Sequence, residues 1–208
     1  MKFHHPTAWL ACGLALLAAP AWTLAETGIT VAGVHFQMTT KIDSPSTENT
    51  ATLTLNGAGL RGVLFIKAYA MGLYLPRRTT TTADILALLG PKRIHIVALR
   101  DLSAEQFADA LVKGIHKNHG EAELAILNPR LEGFRATLLA QGEAVKGTVI
   151  LLDWLPDGTD GITRLTVNGK HVGNPVPGED FYQALLRIWL GERPAEGGLK
   201  RDLLGAAD

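Results

Sequence analysis

The sequence predicts an antiparallel α+β fold. Three observations carry that expectation. Segments in which apolar and polar residues alternate with period two lie around residues 51–75 and 149–172, with helical apolar stripes between and after them. Asn168-Gly169 separates two of the later strands, and Asn-Gly is the strongest two-residue hairpin signal because both central residues need positive φ. The order therefore runs strands, helices, a strand meander and a last helix, rather than the alternating βαβ units of a parallel sheet.

Composition narrows the class. The chain has 208 residues with 20 basic and 20 acidic side chains, 47% hydrophobic and 19% charged. A disordered chain would combine low hydrophobicity with high net charge. A nucleic-acid partner is not expected, because binding to phosphates normally draws on a basic excess. The single cysteine, Cys12, excludes an internal disulfide framework and a zinc site of several thiolates.

Residues 1–25 read as a secretory signal peptide, and residues 26–208 as one domain. Lys2, His4 and His5 form a short basic start. Ala8 to Leu24 is nearly all apolar, and small residues Thr23 and Ala25 precede a cleavage point before Glu26. The uninterrupted apolar run is short for a bilayer span of about 20 residues and contains Pro20, so no integral membrane segment is expected after cleavage. Cleavage leaves 183 residues with 19 basic and 20 acidic side chains and no cysteine, since Lys2 and Cys12 depart. Export of a cysteine-free chain points to a bacterial periplasm, where stability must come from the core alone.

The elements follow in order. Thr39 to Thr50 is rich in Ser and Thr, which fits a loop or a solvated hairpin. Ala51–Leu55 and Val63–Leu75 alternate as strands, and the second has apolar groups in both sets, as a central strand would. A short helix at Ala83–Leu89 ends at Gly90-Pro91, and Lys92–Leu99 is a further strand. Ser103 opens a helix, with Gln106 completing a capping box and Leu102 with Phe107 a hydrophobic staple. Its stripe is Phe107, Leu111, Ile115. A helix from Glu121 to about Leu127 is expected to restart at Asn128-Pro129, with Asn as cap and Pro at the first helical position. The stripe resumes with Leu131, Phe134 and Leu138. Val149–Trp154, Ile162–Val167 and Lys170–Val172 form the meander, with turns at Asp157-Gly158 and Asn168-Gly169. Glu179–Leu190 is the last helix, with Phe181, Leu185 and Trp189 on one face.

Few residues offer chemistry. Gly57-Ala58-Gly59-Leu60-Arg61-Gly62 spells a dinucleotide fingerprint, but that motif needs a helix after it and a strand follows here. The glycines fit a tight turn between strands. Arg61 at such a turn is ordinarily a surface residue. Turned inward it would need a partner, and its planar fork suits a carboxylate or enolate-like oxygen, with the Tyr69 hydroxyl as a second donor. His116 and His119 fit the C-terminal end of a helix before Gly120. One turn apart they could also share a metal, given further ligands. His35, His95 and His171 stand alone on strands and read as structural. No nucleophile triad is present.

Four stretches in order, LNGAGLRG at 55–62, GLYL at 72–75, LRDLSAEQ at 99–106 and DFYQALLRIWLG at 180–191, resemble the chalcone isomerase-like family in its bacterial, signal-bearing branch. The resemblance covers roughly Val31 to Leu204. It implies an open-faced sandwich, an antiparallel sheet backed by a layer of helices, with a ligand cleft between them.

The resemblance also implies site residues. Plant enzymes of the family cyclise chalcones, with the arginine of the G-x-G-x-R-G stretch supporting a phenolate. Arg61 takes that place. Tyr69 stands where those enzymes have a threonine. Their tyrosine, asparagine and last-helix hydroxyl positions fall on Phe107, Gly114 and Ile188. Losing one placed donor for a developing oxyanion can cost roughly 3 kcal/mol, so three such losses argue against efficient cyclisation. Arg61 with Tyr69 instead resembles the pair that holds a carboxylate in fatty-acid-binding members. The implied function is a binding module without turnover for a hydrophobic, fatty-acid-like carboxylate. The alternative is an intramolecular lyase of chalcone isomerase type. Other relatives are associated with haem, whose propionates would use Arg61, with His116 or His119 as iron ligand.

Overall fold

The computed structural model describes residue 1 and residues 28–43, 50–63, 66–157 and 160–205. Apart from Met1, the expected signal peptide lies outside them. A hairpin comes first, β1 (Gly28–Val31) and β2 (Val34–Gln37), turned by Ala32 and Gly33 at φ 49° and 87°. Next come β3 (Thr39–Asp43), β4 (Thr50–Val63), β5 (Ile66–Leu75), α1 (Thr82–Ala87) and β6 (Lys92–Ala98). Then follow α2 (Ala104–Lys117), α3 (Glu121–Leu139), β7 (Val149–Leu155), β8 (Ile162–Val167), β9 (Lys170–His171), β10 (Val176–Pro177), α4 (Glu179–Leu190) and α5 (Gly197–Leu203).

All strand pairs are antiparallel, and the large sheet runs β10-β8-β7-β6-β5-β4-β3 with β9 also on β8. The sheet curls as a half-barrel and the helices cover one face, which is the predicted α+β architecture. The main core lies between them, where Met71, Leu73, Ile94, Ile96 and Leu152 of the sheet meet Leu111, Ile115, Phe134, Leu185 and Trp189 of the helices. A smaller core on the opposite face joins Leu53, Leu55, Ala70 and Tyr74 to Phe36 of the first hairpin and Ile42 of β3. Period-two alternation along β5 thus feeds both cores, as expected of a central strand. Among the described residues no helix is long and apolar enough to cross a membrane.

In the Thr39–Thr50 stretch the described residues take the hairpin alternative, since β3 pairs with β4 from Thr39↔Thr54 to Asp43↔Thr50, and residues 44–49 lie outside the described ones. Three local expectations change. Pro129 does not restart a helix but lies inside α3. Its ring and Ala125, whose carbonyl loses a donor, are exposed, while Leu127 and Leu131 stay buried. The short helix α5 was not expected. Last, the glycine-rich segment is not a turn: Gly57, Gly59, Arg61 and Gly62 are all paired residues of β4.

The reason is a shift of register. Leu55 faces Tyr74 and Gly57 faces Leu73, so Asn56 is an extra residue in β4. Leu53 and Leu55 point into the smaller core. Past the extra residue, Gly57, Gly59 and Arg61 pair with Leu73, Met71 and Tyr69 and face the helices. There α5 packs against bare backbone. A Cβ on Gly57 would lie 2.0 Å from the Asp202 carbonyl oxygen, and one on Gly59 would lie 2.9 Å from Leu199 Cδ1. Asn56 itself is buried, its Nδ2 donating to the Leu203 carbonyl at 2.7 Å and its Oδ1 accepting from the Thr79 N–H at 2.7 Å.

The opposite face carries a polar cluster under the first hairpin. Arg93 forks onto buried Asp153 at 2.7 and 2.8 Å, with Arg164 at 3.4 Å. His95 lies edge-on to Phe36 at 5.2 Å and stacked on Tyr74 at 6.3 Å. Burial, then the charge of Arg93, pushes its pKa down to about 4.

Two outcomes follow. Asn56→Ala strands a buried carbonyl and a buried N–H, and is expected to cost about 3 kcal/mol in urea unfolding. His95 has a folded pKa below the unfolded value near 6.5, so the folded state binds fewer protons between those values. Its contribution is complete above about pH 6.5 and is lost as the pH falls toward 4, by up to about 3 kcal/mol. Urea midpoints of His95→Gln should lack that slope.

Candidate ligand cavity

A cavity of about 340 Å³ opens between the β4–β5 end of the sheet and helices α2 and α4. This is the size range of small-molecule sites. Each wall follows from local sequence. Register pairs Arg61 directly with Tyr69, and both line the cavity from the sheet side. Ser103 starts α2, its Oγ accepting the Gln106 N–H at 3.1 Å, and the helix then presents Phe107, Leu111 and Gly114 to the cavity. Gly114 is where α2 crosses α4, since a Cβ there would lie 2.8 Å from Ile188 Cγ2. Ile188 and Trp189 of α4 complete the apolar lining.

The polar groups converge from several elements. Trp189 Nε1 donates to the Tyr69 hydroxyl at 2.8 Å. Burial raises the Tyr69 pKa, opposed by that hydrogen bond and by the nearby Arg61 charge, so the phenol keeps its proton at neutral pH. Its oxygen is thereby used as an acceptor, and no acceptor among the described residues takes its own proton. Arg61 Nη1 donates to Glu196 Oε2 at 3.1 Å and to the Gly62 carbonyl, and the Gly62 N–H donates to the same Glu196 oxygen at 2.9 Å. Lys113, Lys117 and Arg193 also line the cavity, and no Asp or Glu among the described residues does.

The structure brings Arg61, Tyr69, Phe107, Gly114 and Ile188 together in this one cavity. The last three supply no polar side-chain atom. It does not bring the histidines there. His116 is exposed, and His119 Nδ1 is 2.8 Å from the Ile115 carbonyl oxygen, in clefts on another side of the helix end. No imidazole among the described residues lines the cavity, so the arrangement does not fit a haem bound at Arg61 with either histidine on the iron. Among the described residues no group of three or more His, Cys, Asp or Glu could hold a metal ion.

Sequence reasoning missed Glu196 and the role of the Trp189 N–H. Trp189 was legible as a core residue by its helical spacing. Its polar edge follows only from the approach of α4 to β5. Glu196 lies 135 residues from Arg61 in sequence, and nothing in its neighbourhood marks it as a partner.

A family model described as chalcone isomerase-like matches residues 28–205. The chain belongs to the chalcone isomerase-like family. Among solved structures it is similar to a fatty-acid-binding protein of Arabidopsis thaliana, with a TM-score of 0.56 and 17% identity over 79% of this chain and 96% of that one. At that identity the likeness concerns the fold, a curled antiparallel sheet covered by helices. No curated protein matches the sequence.

Proposed function

We propose that this chalcone isomerase-like chain binds a hydrophobic carboxylate, fatty-acid-like, without turnover. The observation that carries the reading is the cross-strand pair Arg61 and Tyr69, two hydrogen-bond donors set in a cavity whose other walls are largely apolar. A guest must offer an acceptor to that pair, and a carboxylate matches a guanidinium beside a phenol O–H. The tail lies along Phe107, Leu111 and Ile188, each buried methylene contributing about 0.8 kcal/mol. The basic side chains of Lys113, Lys117 and Arg193 favour an anion at the same cavity. The similar Arabidopsis thaliana protein is a fatty-acid-binding protein, which supports the ligand class. Binding rather than cyclisation is supported by Phe107, Gly114 and Ile188, which bring apolar surface where the plant enzymes place polar groups.

Titration with dodecanoate tests this reading. Arg61 is near the rim, its side chain 24% exposed, so Arg61→Ala should fold. It is expected to bind on the order of 10- to 100-fold more weakly, the loss of one charge-assisted hydrogen bond. Unchanged affinity would overturn the assignment.

The reading includes export to a bacterial periplasm, on the basic start, apolar run and small residues of positions 1–25. N-terminal sequencing of protein recovered from the periplasm should begin at Glu26, and an intact Met1 would refute processing.

A further inference from the structure

We infer that Glu196 is an internal competitor for the head-group position at Arg61, and that an acidic guest binds by displacing it. This rests on the binding reading above and concerns its selectivity. The carboxylate of Glu196 has the chemistry proposed for the guest and already occupies the same donor. Its Oε2 accepts from Arg61 Nη1 at 3.1 Å and from the Gly62 N–H at 2.9 Å. Arg61 stands directly opposite Tyr69 across the strand pair, and the charges of Arg61 and Glu196 both act on its phenol. Arg61 in this state is neutralised from within.

The backbone around Glu196 is fixed while its side chain has a way out. Just before it, the Ala195 N–H donates to the Ile188 carbonyl at 2.8 Å. Glu196 then stands at the N-terminal cap of α5, its backbone carbonyl accepting the Lys200 N–H at 3.1 Å, and that helix is seated by buried Leu199 and Leu203. The Glu196 side chain is 35% exposed, so it can exchange Arg61 for water, and partly exposed ion pairs of this kind are weakly held. A carboxylate guest must drive that exchange and then sits near a displaced like charge. A neutral guest with the same tail need not break the pair, because the Tyr69 O–H can serve its oxygen. Glu196 therefore narrows the preference for acids that Arg61, Lys113, Lys117 and Arg193 would otherwise confer.

The test compares dodecanoate with dodecanol by calorimetric titration of the wild-type chain and Glu196→Gln. Glutamine keeps an oxygen for the Gly62 N–H and removes the charge, and an unchanged urea midpoint checks that α5 stays seated. Glu196→Gln is expected to bind dodecanoate about tenfold tighter, with the affinity for dodecanol altered by less than about twofold. Unchanged dodecanoate affinity, in a protein whose Arg61→Ala variant binds it more weakly, overturns this inference and leaves the binding reading standing. Equal tightening for both probes also overturns it, since charge would not be the cause. Absence of dodecanoate binding to both proteins overturns the inference together with the reading.

Discussion

In a strand without interruption, the side chains of residues 57, 59 and 61 would share the face of Leu53 and Leu55, away from the helices. The extra residue at Asn56 moves them to the other face. Its amide bonds to the end of α5 on one side and to the Thr79 N–H on the other, so the irregularity is held by the tertiary structure that depends on it. Two results follow from that change of phase. Glycines face α5, whose backbone can then come within contact of the strand. Arg61 faces the helices rather than the smaller core, beside Tyr69 and within reach of the segment that leads into α5.

Inside the cavity, the direction of the hydrogen bonds matters more than their number. The Trp189 N–H satisfies the phenol oxygen as an acceptor, which leaves the phenol as a donor. Guanidinium groups only donate. The Arg61–Tyr69 pair therefore presents donors to oxygen atoms with lone pairs, such as those of Glu196. Phe107, Gly114 and Ile188 add shape and apolar surface beside these polar contacts.

Much of this was legible in the sequence. Alternation in β5 marked it as central, the Ser103 cap fixed the start of α2, and the Asn168-Gly169 turn, at φ 48° and 78°, lies where it was placed. Those signals are local, so a linear reading finds them. The glycine segment was misread as a turn because its glycines serve a helix about 140 residues later, and alternation along the strand carries no sign of a change of phase. Continuity of α3 through Pro129 depends on the ring falling on the exposed side, which only the packed helix reveals. Arg61 and Tyr69 were identified by chemistry and resemblance, but their direct opposition is a matter of register. The haem alternative failed on direction: two histidines one turn apart at a helix end were visible, and where that end points was not.

A sheet that curls without closing leaves two edges, each a template on which another chain could build. One edge is made of β9 and β10, two residues each, and Pro177 of β10 has no N–H to offer. At the other, β3 carries exposed Lys41 and Asp43 on either side of buried Ile42. A second copy aligning there would bring the charges of Lys41 and Asp43 against its own backbone. The open architecture that leaves a cavity between sheet and helices thus keeps edges that are short, proline-bearing or charged, without a closed barrel to remove them.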